Sequence, residues 1–155
     1  MSTKTSHERA RTAAWVGRRV ERALREVELT PKEYALLALL AENTEGSSAL
    51  ADRLSVSRPR LTAIADRLEE RGLLTRSPVP DDRRRVAHQL TAAGVKVVAA
   101  ADESVAARLD ELLARLDAGE RAEAELGLAR VAEAVAASRA EFRTRTLADD
   151  PALRR

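Results

Sequence analysis

The chain has 155 residues, 45% of them hydrophobic and only 2% aromatic, with no cysteine and 27 basic against 25 acidic side chains, a formal net charge of +2. That length suits one domain, and an interior of Leu, Val and Ala favours packed helices over a sheet sandwich. Without cysteine there is no disulfide framework, thiolate metal site or thiol redox switch, and without an 18-residue apolar run or apolar leader a soluble, cytoplasmic protein is expected.

A hydroxyl followed three residues later by a carboxylate marks a helix start, because each side chain bonds an orphan backbone N–H of the first turn. The pattern occurs at Thr5–Glu8 and at Thr30–Glu33, the second with Pro31 at the tolerated first helical position. The first helix carries Val16, Val20, Leu24 and Val27 at steps of three or four, one apolar stripe that needs a partner surface. The second, from Glu33 to about Asn43, is apolar nearly all round and reads as a central buried helix. Thr44 to Gly46 form a break.

The stretch SSALADRLSVSRPRLTAIADRLEERGLL predicts two short helices joined by a tight turn. Leu50, Ala51 and Leu54 give the first its apolar face, Ser55 and Val56 turn the chain, and Ser57 is the N-cap of a second helix that stops before Gly72. Leu61, Ile64, Ala65 and Leu68 point inward there. Arg58, Pro59, Arg60, Thr62, Ala63 and Asp66 are left on the solvent arc or at the exposed N-terminal end, a surface that suits a major groove. The period then changes to two: Leu73 to Ser77 and Arg85 to Leu90 are extended, VPDDRR turns between them, and the tip carries Asp81, Asp82, Arg83 and Arg84. Arginines on a hairpin tip can reach an adjacent minor groove. Thr91 caps a long helix with a stripe of Val95, Val98, Val105, Leu109, Leu112 and Leu116, and Asp117–Glu120 opens a last helix through Leu126, Val131 and Val135.

The order of elements, the LTPKEYALLALL helix, the LADRLSVSRPRLTAIADRLEERGLL segment and above all DDRRRVAHQLTAAG resemble the MarR family of bacterial regulators over nearly the whole chain. The family's wing signature falls on Asp82, Arg84, Leu90 and Thr91, and Gly94 also fits. Ser55 stands where the family often has Gly, and Pro59 removes a backbone donor from the first turn of the second helix. The fold expected is mainly α with a small β-hairpin wing, a winged helix-turn-helix at 31–91 plus a helical dimerisation region at 1–30 and 92–145, with a charged tail at 146–155. The resemblance implies a homodimer whose terminal helices interlock, with one reading head on each half-site of a pseudo-palindromic operator in double-stranded DNA.

The residues expected to bind DNA are Ser57, Arg58, Pro59, Arg60, Thr62, Ala63, Asp82, Arg83, Arg84 and Arg85. Arg58 and Arg60 reach base edges and Arg83 and Arg85 reach phosphates. By resemblance, Asp82 orients an Arg84 that enters the minor groove. Trp15, the only tryptophan, either anchors the dimer core or lines an effector pocket; with Tyr34 it is the candidate for binding a small aromatic or phenolic effector, which the family resemblance implies. His88 has a structural place on its strand and His7 is a solvated helix residue. No metal site or cofactor is expected from two histidines and no cysteine. A transcription regulator, and a repressor, is the leading reading. An adaptor would need apolar surface left over after dimerisation, and an enzyme would need a phosphate loop, a nucleophile with a base, or a metal cluster, which the sequence lacks.

Overall fold

Three helices of this chain stop in the same way. In the computed structural model, which describes residues 3–42, 47–79 and 82–148, the order is α1 Thr3–Glu26, α2 Pro31–Glu42, α3 Ser47–Arg53, α4 Arg58–Glu70, β1 Leu74–Val79, β2 Asp82–Leu90, α5 Ala92–Leu113 and α6 Ala118–Ala148. After α1, α3 and α4 the backbone turns left-handed at Glu28 (φ 56°), Ser55 (φ 51°) and Gly72 (φ 67°). Each turn makes the same pair of bonds: Glu28 N to Arg25 O and Leu29 N to Leu24 O, Ser55 N to Asp52 O and Val56 N to Ala51 O, Gly72 N to Glu69 O and Leu73 N to Leu68 O. This motif satisfies two orphan carbonyls and folds the following apolar residue back onto the helix, so Leu29 and Leu73 enter the core directly. Only one of the three positions holds glycine, the residue that adopts this conformation without steric cost.

The starts are equally local. At α2, Thr30 N donates to Glu33 Oε2 at 2.8 Å and Glu33 N to Thr30 Oγ1 at 3.3 Å, the reciprocal box expected there. Asp117 and Glu120 make the corresponding pair at 3.1 and 2.9 Å. Thr91 caps α5 by accepting from Gly94 N at 3.0 Å, and its hydroxyl donates to Gly72 O at 2.7 Å. Thr5 caps nothing: α1 already runs from Thr3, because no Pro or Gly between them stops the helix from extending past the expected cap.

The core sits where α2, α3, α4 and the base of the hairpin meet, with Leu36, Leu37, Leu50, Ile64, Leu68 and Leu74 fully buried. Each such side chain stabilises by about 1.5–3 kcal/mol. Leu24 of α1 and Val98 and Ala101 of α5 belong to the same core, so the terminal helices are rooted in the head. Gly94 allows that: a Cβ there would lie 2.0 Å from Leu73 O, so no other residue lets α5 approach the strand so closely. Ser104 Oγ to Ala23 O (3.3 Å) and Arg108 to Glu26 (2.5 Å) then hold α5 along α1.

The α5 stripe divides. Val98 faces the core, Val105, Leu109 and Leu112 are half-buried, Val95 is exposed, and Leu116 lies beyond the end of α5. On α6, Leu126, Leu128, Val131 and Val135 are all exposed, Val131 to 60%.

Candidate nucleic-acid interface

The second helix of the helix-turn-helix presents its first turn to solvent because its capping is internal. Ser57, extended at φ −70° and ψ 155°, accepts from Arg60 N at 3.4 Å, and Pro59 has no N–H to satisfy. Thr62 Oγ1 donates back to Arg58 O at 3.1 Å. Ser57, Arg58, Pro59, Arg60, Thr62 and Ala63 are all exposed, while Leu61, Ile64, Ala65 and Leu68 are buried, the division expected from the sequence. The turn before it is fixed by Lys32, whose Nζ donates to Leu54 O at 2.6 Å.

The hairpin is antiparallel, pairing Leu74 with Leu90, Thr75 with Gln89, Arg76 with His88, Ser77 with Ala87, Pro78 with Val86 and Val79 with Asp82. It is longer than Leu73–Ser77 and Arg85–Leu90. Pro78 pairs with Val86 beside an irregularity, and the register shifts between Pro78 and Val79, so pairing continues to Asp82. Asp82, Arg83, Arg84 and Arg85 therefore belong to β2 in their backbone, where a turn was expected at Asp82 to Arg84; Asp81 and the side chains of 79 and 82–85 lie outside the described residues.

Charged contacts fasten these pieces together. Arg76 of β1 binds two α4 carboxylates one turn apart: its Nη1 reaches Asp66 Oδ1 at 2.7 Å, its Nε reaches Glu69 Oε2 at 2.8 Å and its Nη2 also contacts Glu69. Arg76 N donates to Glu69 Oε1 at 3.2 Å as well. The Arg76 hydrogen bonds hold the Glu69 carboxyl below its ordinary range. Across the ladder, His88 is only 4% exposed and its Nδ1 has no hydrogen-bond partner among the described residues. Burial, and then the Arg76 charge, push its pKa down, which keeps the ring neutral.

A second pair of contacts ties the same C-terminal end of α4 to the α1–α2 elbow. Arg67 Nε bonds Glu33 Oε1 at 3.2 Å and Arg71 Nη1 donates to Glu28 O at 2.8 Å. Burial works to raise the Glu33 pKa, but the Thr30 N–H and hydroxyl and the nearby Arg67 outweigh it, and the carboxyl is held low. Sequence reasoning found Glu33 only as a cap and missed Arg76, Glu69 and Arg67 altogether. Asp66 and Glu69 three apart on a helix followed by an arginine on the next strand were the available signal.

Trp15 and Tyr34 are not brought together. Trp15 is 65% exposed, stacks under Arg18 with the guanidinium carbon 4.0 Å from the ring centre, and lines a cleft of about 420 Å³ with Arg18, Arg19, Arg22 and Arg108. Tyr34 is not among the residues lining that cleft; its hydroxyl donates to Asp102 Oδ1 at 2.5 Å, and burial, with the Asp102 bond and charge added, pushes its pKa up to about 12. Among the described residues no helix is long and apolar enough to cross a membrane, and no cluster of three or more His, Asp or Glu could hold a metal.

The family model described as MarR family matches residues 29–86. The chain is 36% identical over 94 residues to a putative transcriptional regulatory protein for the hcr operon of Thauera aromatica, an alignment that covers 60% of this chain and 57% of that protein's length. Among solved structures it is similar to the transcriptional repressor CouR bound to a 23-mer DNA duplex, with 32% identity, 84% of this chain and 92% of that one covered, and a TM-score of 0.66. It is likewise similar to NadR in complex with 4-hydroxyphenylacetate, with 32% identity, 85% and 93% coverage and a TM-score of 0.60. With its helix-turn-helix and wing in family order and its centre matched by the family model, this chain belongs to the MarR family of winged-helix transcriptional regulators.

Proposed function

We propose that the chain is a sequence-specific, ligand-responsive repressor that binds a pseudo-palindromic operator as a homodimer in the bacterial cytoplasm. The observation that carries this reading is the exposed Arg58–Ala63 turn on a helix whose other face is locked into the core, beside a hairpin wing. CouR, similar over most of both chains, has been solved on a DNA duplex. In this reading Ser57, Arg58, Pro59, Arg60, Thr62 and Ala63 meet the major groove, with Arg58 and Arg60 on base edges. Asp82 orients Arg84 into the minor groove, and Arg83 and Arg85 bind phosphates.

Residues 31–91 form the reading head, and 1–30 with 92–145 form the dimer. The exposed Leu126, Leu128, Val131 and Val135 of α6 supply its apolar contact, joined by Val95 and Leu116. The effector is a small aromatic or phenolic compound, a reading supported by the similarity to NadR solved with 4-hydroxyphenylacetate. The Trp15 cleft and Tyr34 are separate candidates for it, and a ligand releases DNA only if it binds the two states unequally. Selection of bound sequences from random duplex DNA tests the central reading. An enriched inverted repeat is expected, and no enrichment at moderate salt overturns it.

A further inference from the structure

The Arg76 contacts sit in an unusual place for their cost. A half-buried arginine with three bonds to two carboxylates is a directional joint, since the planar guanidinium fixes angle as well as distance. Both carboxylates are on α4 and the arginine is on the wing, so the joint spans the two elements that meet DNA in the proposed function. Asp66 and Glu69 lie on the C-terminal half of α4, behind the Arg58–Ala63 turn, so the joint is set back from the proposed contact surface. Arg76 N bonds Glu69 too, so the strand backbone itself is tied down.

We propose that Arg76 is a positioning residue: it fixes the reach from recognition helix to wing, so that the number of base pairs between the major-groove sequence and the flanking minor-groove tract becomes part of what the protein reads. This rests on the DNA-binding reading above. One base pair advances the duplex by about 3.4 Å, more than a rigid joint can absorb and less than a loose hairpin would notice. Spacing selectivity then depends on a residue that touches no base.

The test uses the full-length chain on duplexes in which the A·T-rich flank is moved by one base pair either way from the selected sequence. Wild type is expected to lose about tenfold in affinity per step, the size of one lost specific contact. Arg76→Met, which keeps the apolar stem and removes the fork, should flatten that loss to under about threefold while core-sequence preference stays. The paired variant Asp66→Asn with Glu69→Gln leaves Arg76 in place and should flatten it equally, which guards against a folding failure of Arg76→Met. In both backgrounds Arg84→Ala should cost less than in wild type, a coupling that a purely stabilising residue would not show.

Because the chain has no cysteine, spin labels at Ala63→Cys and Ser77→Cys give a readout without DNA. Their distance distribution should be narrow in wild type and broad in Arg76→Met. Spacing selectivity retained in both variants, or an unchanged distribution, overturns the proposal alone. Wild type that prefers no duplex overturns it together with the DNA-binding reading, even if the labels behave as expected.

Discussion

The head and the terminal helices use the same residue types to opposite effect. In the head, Leu36, Leu37, Ile64 and Leu68 are fully buried by neighbours within the chain. On α6, Leu126, Leu128, Val131 and Val135 are the same residue types and all exposed. The first region is finished by its own sequence and the second is not, so a hydrophobic stripe counts as core only when something on the chain covers it.

Breaking the unfinished side should have the largest effect. Val131→Asp or Leu126→Asp would place a charge in the proposed dimer contact, costing on the order of 4 kcal/mol or more. Sedimentation at micromolar concentration should then report monomer, while a retained dimer would mean that α6 is not the contact. Breaking the finished side, Leu68→Ala leaves a cavity in the head and should cost about 2–5 kcal/mol in denaturant unfolding, with association of the surviving folded protein unchanged. Gly94→Ala acts at the boundary. Its Cβ would meet a backbone carbonyl that cannot swing aside, so a loss of about 1–3 kcal/mol is expected, and an unaltered midpoint would show that α5 shifts freely.

Acid should find the head before it finds α6. Burial and Arg76 hold the His88 pKa below its usual 6.5, so below pH 6.5 the unfolded chain binds a proton that the folded chain refuses. Stability should be flat from about pH 7 to about pH 9, below the range where Tyr34 titrates, and fall as the pH drops below 6.5, and His88→Phe should remove that acid slope in thermal melts. Glu33 follows at lower pH: its carboxyl is held below 4.5, and the stability it contributes is lost as that carboxyl protonates. The smallest effect is a gain. Ser55→Gly relieves a left-handed backbone at the turn and should stabilise the head by about 0.5–1 kcal/mol, whereas a loss would show that the serine side chain matters there.

Most of what depends on neighbours three or four residues away was legible, the Thr5–Glu8 box excepted because α1 extends past it. Ser57, Thr91, and the Thr30–Glu33 and Asp117–Glu120 pairs all cap as the sequence indicates, because a cap needs only its own turn. Ser55 and Glu28 were not legible as left-handed residues, since neither side chain favours that conformation and only the surrounding packing imposes it. Glu33 shows the boundary within one residue. Its bond to Thr30 is written three positions away, and its bond to Arg67 spans 34 positions that no periodicity reports. The stripe through Val95 and Leu116 failed for a related reason: spacing identifies a face and is silent on which surface meets it. At the proposed DNA surface the exposed turn of α4 was read residue by residue. The joint behind it was missed because ion pairs between elements leave no spacing rule.

Lys32 gives the head a chemical label. The other basic residues are arginine apart from Lys4 and Lys96, so the chain offers amine reagents very few sites. Lys32 and Lys96 are both exposed, but the ammonium of Lys32 is engaged with Leu54 O at the turn between α3 and α4. An acylating reagent should therefore modify Lys96 faster than Lys32, whose amine must first leave Leu54 O, so the ratio of the two adducts in a mass spectrum reports how firmly that one bond holds the side chain to the turn.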